Sequence, residues 1–219
     1  MLTIKNSRKQ ELPDISVCHM ACFPSSLATR LGKSYVQKSM EWFLVNPNRF
    51  LFHIIRDGRV AGYCGGFKPV KPGDGSSSGM LQHAFSKAIK GIIFKPWLLL
   101  HPEVRSHYPF LWLNIKRKIT GKAKPIKPVS TEKPYKQFVG LVVIGVHPDF
   151  RGSGIAQALM AEFEKRVLEL EQNELVLSVK KDNARAIKAY TNFGWKIKEE
   201  QDKTYVMNKF LVKEPENAR

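Results

Sequence analysis

The chain has 219 residues, enough to bury a sizeable core in one large domain or one domain with an insertion. Hydrophobic residues make up 43% and charged residues 25%, a balance ordinary for a soluble globular protein. Thirty-six basic residues against 19 acidic ones leave a net charge of +17, which points to anionic partners: phosphates, nucleic acid, an acidic protein or a membrane surface. The excess is uneven, at +6 over residues 1–69, +9 over 70–133 and +2 over 134–219.

In chain order, residues 2–5 read as a short strand and residues 10–23 and 27–44 as helices, broken at Pro24 and Ser25 with Ser25 or Ser26 as N-cap. Cys18, Cys22 and Cys64 are the only cysteines, an odd set without framework spacing that predicts reduced thiols in a cytosol. Cys18 and Cys22 share a helix face with His19 between them. Two further ligands at zinc-like spacing are missing, so they read as small core residues and no metal is expected. The N-terminus lacks the apolar run of a secretion signal.

RFLFHII (49–55) and RVAGYCGGF (59–67) flank Arg56-Asp57-Gly58, and Asp-Gly between apolar runs predicts a hairpin. Residues 70–134 then change texture and read as an insertion between two strands. VKPGDGSSSG has linker composition, and MLQHAFSKAIKGIIF (80–94) has apolar residues at 81, 85, 88, 89 and 92, the pattern of an amphipathic helix. Its continuation, GIIFKPWLLLH, is broken by Lys95 and Pro96 and is too short to span a bilayer. The expectation is a cytoplasmic protein; the apolar face of this segment reads first as packing on its own domain and second as lying on the inner face of a membrane. KQFVGLVVIGV, ELVLSVK, WKIKE and KTYVMNKFLV read as strands. IAQALMAEFEKRVLEL and DNARAIKAYTNF read as helices, the second capped by Asp182 or Asn183 and ended by Gly194, and 212–219 as a polar tail.

Between the strand ending at Val146 and the helix from Ile155 lies Arg151-Gly152-Ser153-Gly154. A helix N-terminus presents amides without intrahelical partners, and glycine lets an anion approach them closely. Arg151 adds a fixed charge and Ser153 a hydroxyl. Hydrogen bonds to a charged group contribute roughly 1.5–3 kcal/mol each, against about 0.3–1 kcal/mol for the helix dipole. Several converging amides therefore dominate, and they suit a diphosphate. The P-loop pattern is absent, and Gln157 stands where the dinucleotide fingerprint needs its third glycine. Packing alone is the other reason for glycines in such a turn.

Arg151-Gly-Ser-Gly154-Ile-Ala156 fits the pattern R-x-x-G-x-G/A, and Asn183, Ala186, Tyr190, Phe193 and Gly194 in NARAIKAYTNFGW fit a second motif at the usual separation. In these two motifs the chain resembles the GNAT superfamily of N-acetyltransferases, closely over 136–210, loosely over 1–69 and not over 70–134. The resemblance implies a single acyltransferase domain over 1–219 with an α/β (α+β) fold. Its mixed, mostly antiparallel seven-stranded sheet would be flanked by helices, with splayed central strands and a helical insertion between strands 3 and 4. Acetyl-CoA or another acyl-CoA is the implied co-substrate. Its pyrophosphate would lie on Arg151, Gly152, Ser153, Gly154, Ile155 and Ala156, and its pantetheine along the backbone of Ile144 and Val146 like an added strand. Packing is the other role open to those two residues.

Asn183 would contact the pantetheine or act simply as an N-cap. Tyr190 would be the general acid protonating the departing sulfur, or an aromatic packed on a helix face. A backbone N–H near Ile144 to Val146 would stabilise the oxyanion of an amine's direct attack in a ternary complex. The strand before the turn holds no carboxylate. Glu41, His53 and His147 are base candidates by element position only, with water as an alternative. The acceptor is expected to be a primary amine on a small or anionic molecule, such as an amino sugar or nucleotide-linked sugar. The insertion, 70–134, suits a lid, an acidic carrier protein or an anionic membrane. The competing reading is a non-catalytic module binding nucleic acid or membrane. Nucleic acid is disfavoured because the aromatic residues sit in apolar runs rather than among Lys and Arg.

Overall fold

The structure, a computed structural model, describes residues 2–70, 74, 76–106 and 137–212. Seven strands, β1 (Leu2–Asn6), β2 (Arg49–Arg56), β3 (Arg59–Phe67), β4 (Val139–Val146), β5 (Glu174–Lys180), β6 (Lys196–Glu200) and β7 (Thr204–Phe210), form one sheet in the order β1-β2-β3-β4-β5-β7-β6. Only β4 and β5 run parallel, so the sheet is mixed and mostly antiparallel, as expected. The hairpin joining β2 and β3 turns at Asp57 and Gly58, at φ 52° and 72°, which matches the twist of the flanking strands.

Helices cover both faces. α1 (Leu12–Cys22), α2 (Leu27–Leu31) and α3 (Lys33–Glu41) lie on one, where Ile15, Val36, Met40, Phe43 and Tyr63 form a core. The helix read from the sequence over 27–44 is interrupted. Gly32 adopts φ +107°, a conformation closed to residues with a Cβ, and it separates α2 from α3. A 3-10 turn, Trp42–Leu44, then leads to β2. Ser26 is the N-cap of α2, its hydroxyl accepting from the Thr29 amide at 3.2 Å.

The helix following β4 carries the apolar residues Ile155, Leu159, Met160, Phe163 and Val167 at helical spacing, and they face the sheet's other side. It is α6 (Ile155–Glu169), and α7 (Ala184–Asn192) packs on the same core through Ala186, Ile187 and Tyr190. Gly62 of β3 sits under the start of α6, where a Cβ would come within 2.9 Å of both Ile155 and Leu159; this close approach fixes the height of the helix end above the sheet.

Between β3 and β4 the described part of the insertion is helical, as expected: α4 (Ser76–Phe94), a 3-10 turn over Pro96–Leu100, and α5 (Pro102–Ser106). α4 lies on α2 and α3, with Ala84 and Ala88 buried and Leu81 and Ile92 half-buried. The expected stripe at 81, 85, 88, 89 and 92 is thus only partly the packed face, since Phe85 and Ile89 are exposed. The sequence-based readings of 107–134 and of the tail beyond 212 lie outside the described residues.

Two buried histidines tie helix and strand to the sheet. His19 Nδ1 of α1 and Tyr63 Oη of β3 lie 2.6 Å apart, and His53 Nδ1 of β2 and Ser7 Oγ lie 2.9 Å apart. The Nε2 of each is buried without a hydrogen-bond partner among the described residues, so a charge there would be uncompensated. Burial holds His19 down at about 4 and lowers His53 as well. Because the unfolded chain protonates both near 6.5, it binds more protons than the folded one below that pH. Stability is expected to be full above pH 6.5 and to fall towards pH 4, with His19 alone contributing up to about 3 kcal/mol of the loss. Glu41, held at about 2 by Lys38 and Lys9, extends the fall below pH 4.5. Urea unfolding across this range checks it, and His19→Gln should flatten the upper limb.

Candidate functional site

β4 carries one more residue than β3 opposite it. Gly65 pairs with Val143 and Gly66 with Leu141, which leaves Val142 as a bulge. The side chains record it: Val139 and Leu141 face the α6 layer, Val142 and Val143 both face the α1 layer, and Ile144 and Val146 face α6 again. A bulge bends its strand and increases its twist. β4 and β5 pair only at Val139 with Leu175 and Gly140 with Val176, and beyond Gly140 they part as expected.

The parting opens a cleft of about 540 Å³. One wall is β4 from Val142 to Val146, and the opposite wall is α7 with Asn183, Ala186, Ala189, Tyr190 and Phe193. The turn before α6 and the helix's first residues close one end. Cys22 and Phe23, at the end of α1, contribute from the other layer. His147 N–H donates to the Ala61 carbonyl of β3 at 2.9 Å. Strand alternation then turns the main-chain groups of Val146 and Ile144 away from β3, towards the gap. Their side chains meanwhile pack at the edge of the core, as the packing reading expects.

The turn holds Gly152 at φ +77° and Gly154 at φ +82°, and Gly154 is the N-cap of α6 without a side-chain cap. A Cβ at either glycine would meet nothing within 4 Å. Packing against the protein therefore does not require them; the left-handed backbone does, and it leaves clear space over the uncapped amides. Arg151, Gly152, Gly154 and Ala156 line the cleft. Ser153 and Ile155 do not place their side chains there. The Ser153 hydroxyl donates to the Phe150 carbonyl at 2.6 Å, and the Ile155 side chain is core, so each offers only main-chain groups. Two arginines from the hairpin tip brace the turn. Arg56 Nη1 donates to the Ser153 carbonyl at 3.5 Å, and Arg59 Nη2 to Asp149 at 3.1 Å.

Asn183 caps α7, its side-chain oxygen accepting from the Ala186 amide at 3.2 Å, and it also lines the cleft. Tyr190 lies on the cleft wall with its ring 5.9 Å from that of Trp195. Burial pushes its hydroxyl up to about 12, so it keeps its proton at neutral pH, and it has no hydrogen-bond partner among the described residues.

Three groups suggested as bases by element position do not line the cleft. Glu41 pairs with Lys9 at 3.1 Å, Lys38 and His83; His53 bonds Ser7 between the outer strands; His147 folds back onto the Asp149 amide. No carboxylate lines the cleft among the described residues. Arg185 and Phe23 line it without having been singled out in the sequence, and so do Gln157 and Cys22, which the sequence reading took only as a missing glycine and a core residue. Arg185 stands two residues after Asn183 in a motif already quoted, a usable signal. Cys22 and Phe23 arrive through tertiary packing and had none.

Over residues 126–195 the chain matches the acetyltransferase (GNAT) family, and its splayed seven-stranded sheet is that family's fold. An acetyltransferase of Sodalis glossinidius is 36% identical over 73 residues, 33% of this chain and 49% of that protein. One of Yersinia enterocolitica is 37% identical over the same shares. The chain spans about half the length of these curated relatives. Among solved structures, the PaiA N-acetyltransferase of Thermoplasma acidophilum, in complex with coenzyme A, superposes with a TM-score of 0.55 at 10% identity, over 96% of this chain and 99% of that one. The ribosomal-protein-S18-alanine N-acetyltransferase of Escherichia coli does so with a TM-score of 0.51 at 14% identity, over 100% and 99%. Likeness at this identity establishes the fold.

Because Gly152 and Gly154 touch no neighbour, their replacement by alanine tests conformation alone. Each substitution is expected to lower the unfolding free energy by about 1–2 kcal/mol, the left-handed penalty, measured by denaturant titration at neutral pH.

Proposed function

We propose that the protein is an acyl-CoA-dependent N-acyltransferase that transfers an acetyl group from acetyl-CoA to a primary amine by direct attack with both substrates bound. The observation that carries this reading is the parting of β4 from β5 beside an uncapped, glycine-shaped helix end. The cleft has a free strand edge for an amide-bearing arm and an anion cradle at one end. The residues fit the donor: the space over Gly152 and Gly154 is clear, Arg151 and Arg185 are both at the cleft, and Val146 and Ile144 turn peptide groups towards it. In this reading the amides from Gly152 to Ala156, with Arg151, hold the diphosphate. Ile144 and Val146 pair with the pantetheine, which Asn183 and the side chains of Ala186 and Ala189 flank.

The thioester supplies an activated acyl carbon and a thiolate leaving group. A main-chain N–H near Val146 stabilises the carbonyl oxygen as the amine adds. Tyr190 meets the leaving sulfur from the facing wall. A free thiol's pKa is near 8.5, so full proton transfer from a hydroxyl at about 12 is uphill by roughly 5 kcal/mol. The hydroxyl therefore acts as a hydrogen-bond donor that stabilises the thiolate as the C–S bond breaks; the thiolate takes its proton from solvent, and any tyrosinate formed regains its own there. With no carboxylate on the described cleft walls, the amine's proton leaves to solvent. An amine carried on an anionic molecule, for instance an amino sugar or nucleotide-linked sugar, suits the chain's net charge of +17.

The purified chain is expected to bind coenzyme A in titration calorimetry and to release thiol from acetyl-CoA with at least one member of an amine panel. Tyr190→Phe should lower kcat by about 10²-fold while leaving coenzyme A affinity nearly unchanged. No heat with coenzyme A, or a Tyr190→Phe enzyme with undiminished kcat, contradicts the reading of the donor site or of Tyr190 respectively.

A further inference from the structure

α4 has an unusual arrangement of side-chain size. The fully buried residues it turns onto α2 and α3 are small, with Met80, Leu81 and Ile92 half-buried at the edges of that contact. Ala84 and Ala88 are buried, and at Gly91 a Cβ would stand only 2.9 Å from the Leu31 carbonyl. Its remaining large apolar residues point the other way. Phe85, Ile89 and Ile93, four residues apart and so on one helix face, are 46%, 42% and 68% exposed. Phe94, at 79%, and in the following turn Trp97 and Leu100, at 62% and 75%, continue this apolar surface. A surface helix ordinarily buries its large apolar side chains and shows polar ones; here the small residues fix the helix to the body and leave the large ones outside. A contiguous apolar surface of this size on a helix marks an interaction site.

Charge identifies the kind of partner. Over residues 76–106 the charged side chains are Lys87, Lys90, Lys95, Arg105 and a single acid, Glu103, whose carboxylate lies 3.0 Å from Lys180 of β5. Lys90 is exposed on the flank of the apolar face. The sequence that follows, 107–136, carries eight basic residues and one acid. Large aliphatic side chains beside Phe and Trp at a helix end, with lysine at the flank and positive charge following, suit the boundary of an anionic bilayer, where the apolar groups enter the acyl region and the cations stay among the headgroups. No described helix is long and apolar enough to cross a membrane, so the contact is with one leaflet. We propose that α4 and the turn after it, through Phe85, Ile89, Ile93, Phe94, Trp97 and Leu100, dock the protein on an anionic membrane surface.

The test is vesicle flotation of the full chain, with phosphatidylcholine vesicles and with vesicles in which a third of the lipid is phosphatidylserine. The wild-type protein is expected to float with the anionic vesicles and not with the neutral ones. The triple variant Ile93→Ser, Phe94→Ser, Trp97→Ser should lose at least about tenfold in bound fraction while keeping its unfolding midpoint, because those side chains are exposed. Failure of the wild type to float overturns the proposal, as does equal flotation of the triple variant. A dimer seen by light scattering that the variant abolishes, without flotation of the wild type, assigns the face to a second copy of the chain instead. The readout needs no turnover, so it is independent of the acyltransferase reading.

Discussion

Every strand of the sheet pairs with its neighbours over most of its length, bulges included, except where β4 meets β5, and there two residue pairs do all the joining. A parallel pair that closed along its full length would bury the main-chain groups of Ile144 and Val146 in hydrogen bonds and leave no cleft. The extra residue at Val142 prevents this by bending β4 away after Gly140. The bend does not weaken the sheet elsewhere. β3 follows β4 to Val146, and β5 is paired with β7 along its whole length from Glu174 to Lys180. Each half of the sheet is thus stable on its own side of the gap. The opened edge is a fixed feature of the native state rather than one that must be broken open for a ligand.

The same strand sets the electrostatics of the cleft. Its end at Val146 delivers the chain into the glycine turn, so the free strand edge and the uncapped amides of α6 lie within a few residues of each other. Positive φ at Gly152 and Gly154 is a cost the fold tolerates because the turn is held at several points: Ser153 to Phe150 within it, and Arg56 and Arg59 from the β2–β3 hairpin. The Arg59–Asp149 pair is more than half exposed and contributes little stability by itself. Its effect is to leave Arg151 as the turn's cation facing the cleft, with Arg185 joining it from α7.

Much of this was legible in the sequence because it depends on local rules. Asp57-Gly58 fixes a hairpin, the glycines around Ser153 fix a turn, and Gly194 ends a helix, each through backbone conformation alone. Tyr190 and Asn183 were legible through a motif whose spacing is helical. The Val142 bulge was not, because an apolar run reads the same with or without one unpaired residue. Nor was the break at Gly32, since a lone glycine in a helical pattern is compatible with continuation and only tertiary packing decides. Cys22 and Phe23 reach the cleft because α1 ends there, a consequence of how that helix crosses β3 and β4 rather than of any local signal.

α4 shows the limit most clearly. Its apolar residues cover an arc wider than one packing surface, and periodicity locates the arc without saying which part meets the neighbour. The deciding factor is size. Close approach to α2 and α3 needs small side chains, so Ala84, Ala88 and Gly91 take the interface, and the larger residues are displaced to its edge and beyond. Lys180 at the end of β5 then meets Glu103 of α5, which ties the insertion to the strand that forms the far side of the splay. An exposed pair of this kind adds little to stability, but it places the insertion beside the wide end of the opening between β4 and β5. Glu103 therefore brings α5 beside the wide end of that opening, while the start of α6 lies on the sheet's opposite face.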